Sequence, residues 1–224
     1  MSWFNIFKKR PPKTPLVKKY EAGFEKPIPK SRTLGELEFV VLDTETTGLD
    51  VKKDHILAFG GVKIQEKKIK IETSKEHLLF SKKQNISSIK IHEIIQSENA
   101  LPLDDFVEEF LPYLGTGILV AHHAGFDVAM LEKAVRPYGL KRLLNPVLDT
   151  GDLAIRLEHG IRLDPSRVNL KDYSLDALCE RYKIPIHDRH TAAGDAFLTA
   201  QLLLKLLKFA EQKGVRNYRD LMRW

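Results

Sequence analysis

The stretch Val40-Val41-Leu42-Asp43-Thr44-Glu45-Thr46-Thr47-Gly48 decides how this chain is read. An apolar, β-rich run meets two carboxylates two residues apart and closes on a Thr-Gly turn. Side chains at i and i+2 of a strand share a face, so Asp43 and Glu45 can address one point in space. Two acids side by side repel unless a cation lies between them, and carboxylate oxygens suit hard divalent ions such as Mg²⁺ or Mn²⁺. Read alone, the run fits equally well a solvated strand end entering a turn.

Working outward, Glu38 to Leu42, Ile56 to Ile64 and Lys67 to Ile71 read as three antiparallel strands, the last two joined by a tight turn at Gln65 and Glu66. Pro102 to Leu114 carries apolar residues at Leu103, Phe106, Val107, Phe110, Leu111 and Leu114, the spacing of an amphipathic helix that ends at Gly115. A buried strand follows at Ile118 to Ala121, then a helix over Asp127 to Arg136. Val147 to Leu148 is a short strand before a helix that Thr150 can cap. Ser174 to Arg181 and Ala192 to Ala210 are further helices. Strands first and helix-strand alternation afterwards predict an α/β fold, a mixed sheet flanked by helices.

Two more runs place chemistry at element ends. In Ala121-His122-His123-Ala124-Gly125-Phe126-Asp127 an acid opens a helix after a buried strand, a position the helix dipole favours without any further role, and Phe126 suits a core anchor. In His190-Thr191-Ala192-Ala193-Gly194-Asp195 the two outer side chains would stand about 140° apart on a regular helix. They converge only if His190 precedes the helix with Thr191 as its cap. The small residues between them would let another chain segment or a substrate backbone approach.

The chain has 224 residues, 43% hydrophobic and 29% charged, which suits one sizeable core. Its net charge of +6 is uneven. Residues 1–33 hold nine basic and two acidic side chains, while the remainder holds 27 and 28, so the basic character belongs to the front of the chain. Five prolines among those lysines predict a flexible N-terminal tail over 1–33 and a folded domain over 34–224. Trp3, Phe4 and Phe7 beside Lys8, Lys9 and Arg10 suit weak contact with a membrane surface or a partner through residues 1–10. No apolar stretch approaches the roughly 18 to 20 residues that cross a bilayer, and a cytoplasmic location is expected. The single cysteine, Cys179, excludes an internal disulfide and a multi-thiolate zinc site, and its surroundings suit packing.

Together the three runs resemble the signature of the DnaQ-like 3'-5' exonucleases with histidine in the third motif, the DEDDh group. Asp43 and Glu45 match the first motif, Asp127 the second, and His190 with Asp195 the third. The likeness spans Leu34 to Ala210. It includes Ile91-His92-Glu93-Ile94, similar to a segment that packs near the terminal nucleotide in this family, and Ser174 to Leu178, similar to the helix before the third motif.

The resemblance implies a ribonuclease H-like fold with a five-stranded mixed sheet. It further implies two divalent metal ions, Mg²⁺ or Mn²⁺, held by Asp43, Glu45, Asp127 and Asp195, with His190 as general base. A substrate pocket is implied at Thr46, Thr47, Gly48 and Leu49 with His92 and Phe126. The implied reaction is hydrolysis at DNA 3' ends to nucleoside 5'-monophosphates, in proofreading or repair. An RNA-trimming exonuclease and a non-catalytic nucleic-acid or partner-binding module are the alternatives. A DNA polymerase or another repair protein is the expected partner. The likeness lacks the long extra region that holds a replicative proofreading subunit to its polymerase, so such a partner is expected through another contact.

His123 stands where this family often has asparagine, and packing is its expected part. Asp149 is expected to cap a helix or to hydrogen-bond the second-motif loop. The polar stretch Arg162 to Lys171 is left without a role. Gln201 to Leu206 has a passing likeness to sliding-clamp-binding peptides, but its leucines are expected in the core.

Overall fold

The structure, a computed structural model, describes residues 11–80, 100–160 and 168–223. Five strands form one sheet: β1 (Phe39–Thr46), β2 (Ile56–Gln65), β3 (Lys68–Leu78), β4 (Ile118–Ala121) and β5 (Val147–Asp149). Their order is β3-β2-β1-β4-β5. The pairs β1–β2 and β2–β3 are antiparallel, and β1–β4 and β4–β5 are parallel. This is the mixed sheet the sequence predicts.

Among the described residues seven α-helices accompany it: α1 (Pro15–Ala22), α2 (Leu103–Leu114), α3 (Gly125–Val135), α4 (Thr150–His159), α5 (Leu175–Arg181), α6 (Ala192–Gln212) and α7 (Tyr218–Arg223). Among the described residues no helix is long and apolar enough to cross a membrane.

The strand alternation of β1 sorts the two faces. Phe39 and Val41 enter a core built with α4, α5, α6 and α7, and Val40 and Leu42 enter the opposite core with α1, α2 and α3. Both faces are buried, so the central strands read as continuous apolar runs rather than alternating ones. Cys179, Leu202, Leu203 and Leu206 are fully enclosed, as packing roles require.

Three features depart from the sequence reading. Part of the expected flexible tail is structured: Thr14 accepts the Val17 N–H as N-cap, Pro15 opens α1, and Val17 and Tyr20 are buried. The Tyr20 hydroxyl donates to Asn145 Oδ1 at 2.6 Å and accepts from the Leu144 N–H at 2.8 Å. Composition hides this because two apolar anchors, placed i and i+3, are enough to dock a short helix whose other face stays charged.

Strand β3 runs on to Leu78 instead of ending near Ile71, because an edge strand can be built from charged and polar residues. Its hairpin turn sits at Glu66 and Lys67, both left-handed with φ of 52° and 57°, one residue beyond the expected place. The N-cap of α4 is Asp149 rather than Thr150. His92, the segment around it, and Trp3, Phe4 and Phe7 lie outside the described residues, as does most of the polar stretch before Val168.

Candidate active site

The face that Val41 gives to the core continues at Asp43 and Glu45, both on the side covered by α6. Asp43 pairs with Gly60 of β2. A Cβ at Gly60 would lie 2.1 Å from the backbone carbon and oxygen of Ala192. The start of α6 therefore rests directly on the strand next to Asp43, and Asp195, one turn further along, comes over the two β1 acids. One carboxylate oxygen each of Asp43, Glu45 and Asp195 lie within 4.8 Å of one another. The small residues of the third run are thus used by the chain itself: Gly194 also admits the Asp188 carbonyl, 2.0 Å from where its Cβ would be.

Thr44 points to the other face and meets Asp127 in the first turn of α3. Its N–H and its hydroxyl both donate to Asp127 Oδ1, at 2.9 and 2.7 Å. Asp127 is 5% exposed and adds to the negative field at Asp43. Burial pushes Asp43 well above the usual carboxylate range, and the charges of Asp127, Asp195 and Glu45 push it further. Burial likewise raises Glu45 to about 7, with Asp195 and Asp127 adding to it. Burial also raises Asp127 to about 6, held back by its hydrogen bonds from Thr44.

Asp195 Oδ1 is buried with no hydrogen-bond partner. An all-oxygen donor set with an orphaned buried oxygen and mutually repelling carboxyls fits a hard divalent cation.

Among the described residues, a cationic side chain that the sequence reading does not single out reaches Asp195. Arg189 ion-pairs with Asp195 through Nη1 and grips Asp176 of α5 through Nε at 2.5 Å and Nη2 at 3.2 Å. His190 follows it, exposed and left-handed with φ of 63°, in the turn before α6. Thr191 is the N-cap, as expected, accepting the Gly194 N–H at 3.0 Å. His190 thus precedes the helix, as convergence with Asp195 requires. The hydrogen bond from Arg189 holds the Asp176 carboxyl below its ordinary value.

The loop after β1 is internally braced. The Thr47 hydroxyl donates to Asp54 Oδ1 at 2.8 Å, and the Thr47 N–H donates to the His55 carbonyl at 2.9 Å. The Thr46 hydroxyl donates to the Gly48 carbonyl at 2.8 Å. A Cβ on Gly48 would lie 2.7 Å from Asp54 Oδ2, so glycine lets the loop close. Leu49 projects outward, 86% exposed, and Phe126 is half-buried against the α1–α3 core.

At the end of β5, Asp149 does both jobs foreseen for it. Its Oδ1 accepts from Gly151 N at 2.8 Å at the start of α4, and its Oδ2 accepts from Ala124 N at 2.7 Å in the turn after β4. His122 hydrogen-bonds Thr150 through Nδ1, and burial lowers it to about 4. His123 is exposed and left-handed, φ 58°, with its ring beside that of His122.

The sequence did hold signals for the residues passed over. Glycine inside a strand marks a close backbone approach, which Gly60 provides, and Arg189 adjoins the third run.

Residues 40–203 match the exonuclease family RNase_T. The chain is 33% identical over 193 residues to the DNA polymerase III PolC-type of Thermotoga maritima, covering 84% of this chain and 13% of the relative. It is 33% identical over 193 residues to that of Bacillus subtilis, covering 85% and 13%. The chain therefore spans a small fraction of these curated relatives.

Among solved structures, Escherichia coli exonuclease I in complex with a dT13 oligonucleotide superposes with a TM-score of 0.63 at 15% identity, over 80% of this chain and 43% of that one. Cell-death related nuclease 4 (CRN-4) superposes with a TM-score of 0.57 at 16% identity, over 78% and 64%. The fold is ribonuclease H-like. With acids from β1 and α6 meeting over Gly60 and the family match spanning the sheet and most of α6, the chain belongs to the RNase_T exonucleases, the DnaQ-like group.

Proposed function

We propose that this chain is a metal-dependent exonuclease that removes nucleotides from DNA 3' ends and releases nucleoside 5'-monophosphates. The observation that carries the reading is the meeting of Asp43 and Glu45 of β1 with Asp195 of α6, distant in sequence, within 4.8 Å. In this reading the three carboxylates hold one divalent ion, Mg²⁺ or Mn²⁺, and Asp43 with Asp127 serves a second. Bound there, such ions polarise the scissile phosphate and stabilise the attacking and leaving oxygens.

The chain's own residues supply the rest. Asp127, fixed by Thr44, keeps its charge directed at Asp43. His190, on the turn before α6, accepts the proton of the attacking water. The braced loop Thr46-Thr47-Gly48 presents backbone to the terminal nucleotide, and Leu49 wedges against its base, with Phe126 alongside. DNA is favoured as substrate because the relatives are DNA polymerases and the neighbouring exonuclease I is seen with an oligonucleotide. The same relatives support a role beside a polymerase, in proofreading or repair.

The test is digestion of matched 5'-labelled DNA and RNA oligonucleotides with Mg²⁺, Mn²⁺ or EDTA, comparing wild type with Asp43→Asn and His190→Ala. The expected result is a DNA ladder shortening from the 3' end, abolished by EDTA and by Asp43→Asn and slowed by His190→Ala. A faster RNA ladder overturns the choice of substrate. Folded protein that cuts neither polymer overturns the activity.

A further inference from the structure

Among the charged groups around the carboxylates, Arg189 has a geometry that its neighbours do not explain. It is half-buried, spans α5 and α6, and touches one exposed and one buried acid. Its Nε and Nη2 lie against the two oxygens of Asp176, the paired contact that a planar guanidinium makes well. Only the remaining Nη1 reaches Asp195, taking Oδ2 while Oδ1 stays buried without a partner.

We propose that Arg189 is a resident counter-ion of the carboxylate site, competing with a divalent cation for Asp195. The proposal rests on the metal-site reading above and concerns how that site is loaded. Guanidinium keeps its proton throughout the usable pH range, so Arg189 can be displaced from Asp195 but not neutralised. Asp176 makes displacement feasible: its two contacts hold the guanidinium when Asp195 lets go, so no charge is stranded. The arrangement limits repulsion among the buried acids in metal-free protein and lowers the affinity with which metal enters. Arg189 is thereby a positioning residue, acting on the metal through Asp195.

The experiment is titration of the full chain with Mn²⁺, reading free Mn²⁺ by electron paramagnetic resonance, for wild type, Arg189→Met, Arg189→Lys and Asp43→Asn. Loss of one charge-assisted hydrogen bond that opposes the metal predicts that Arg189→Met binds Mn²⁺ about ten-fold more tightly. Thermal unfolding supplies a second readout. Arg189→Met melts below wild type without metal and gains more from saturating Mn²⁺. If Arg189→Met does not fold, Arg189→Lys replaces it, with tighter binding than wild type expected because lysine cannot hold both acids in the same way.

Equal or weaker Mn²⁺ binding by the folded Arg189 variant, beside a wild type that binds and an Asp43→Asn that does not, overturns the role of Arg189 alone. Failure of both wild type and the Arg189 variant to bind Mn²⁺ overturns the metal-site reading and this proposal with it.

Discussion

Gly60→Ala is the substitution through which the fold can be tested against the site. The added methyl would sit 2.1 Å from the backbone carbon and oxygen of Ala192 and 2.3 Å from the nitrogen of Ala193, where ordinary contact begins at 3.4 Å. The obstacle is backbone at the start of a helix, so relief requires the first turn of α6 to retreat by roughly 1.3 Å. Overpacking of this kind costs about 1–3 kcal/mol of stability. Because Asp195 rides on that turn, the retreat also draws it from Asp43 and Glu45, and a misplacement of about 1 Å costs on the order of 100-fold in rate.

The assay pairs urea unfolding with single-turnover cleavage of a labelled oligonucleotide and Mn²⁺ titration. Gly35→Ala is the control, since its Cβ meets only Lys67 Cε at 3.8 Å, and it should be neutral within about 0.5 kcal/mol. Gly60→Ala with wild-type Mn²⁺ affinity and rate, whatever its stability, would refute the claim that this contact places Asp195.

Two further outcomes are expected. In metal-free protein Glu45 and Asp127 sit near 7 and 6 against 4.5 and 3.8 for the exposed groups. The folded state therefore holds more protons than the unfolded one, and stability falls as pH rises through that window, by about 1 kcal/mol per pH unit for each carboxyl still titrating. His122, depressed to about 4, acts in the opposite direction below 6.5. Thermal unfolding is therefore compared from pH 6.5 to about 8, with and without Mn²⁺, and a metal-free slope no steeper than the Mn²⁺ slope contradicts the expectation. Tyr20→Phe leaves Asn145 Oδ1 and the Leu144 N–H short of a partner. It should cost about 1–3 kcal/mol with no change in oligonucleotide cleavage, read as a lower urea midpoint at constant slope; an unchanged midpoint means that α1 is not held there.

The parts of the molecule legible from sequence are those whose signal is local. Ile118–Ala121 is apolar throughout and flanked by turn residues, and β4 has those bounds. Thr191 reads as a cap and is one, and the helix read from Ser174 starts one residue later with Ser174 as its cap. The acids of β1 and α6 were visible because period-two alternation and the cap at Thr191 fix their faces.

What escaped depends on partners distant in sequence. The N-terminal helix is held by Asn145, more than a hundred positions away, and its lysines outweigh its two anchors in any composition count. Strand β3 extends past Ile71 because β2 offers it a ladder, not because its own residues favour a strand. Arg189 was overshadowed by the histidine beside it, since its ion pairs to Asp176 and Asp195 depend on how α5 and the start of α6 pack, which local propensity does not reveal.

The contact between Gly60 and Ala192 also bears on when the carboxylate site can assemble during synthesis. Asp43 lies on the first strand and Asp195 on the last long helix, about 150 positions apart. Contacts of such sequence separation form late and slowly, after the loop-closure entropy between them has been overcome. An emerging chain that has completed β1, β2 and β3 holds Asp43 and Glu45 and still lacks Asp127 and Asp195. Assembly of the three-carboxylate site is thereby deferred until the sheet has closed and α6 has docked, and a chain cut short before Asp195 carries no assembled site.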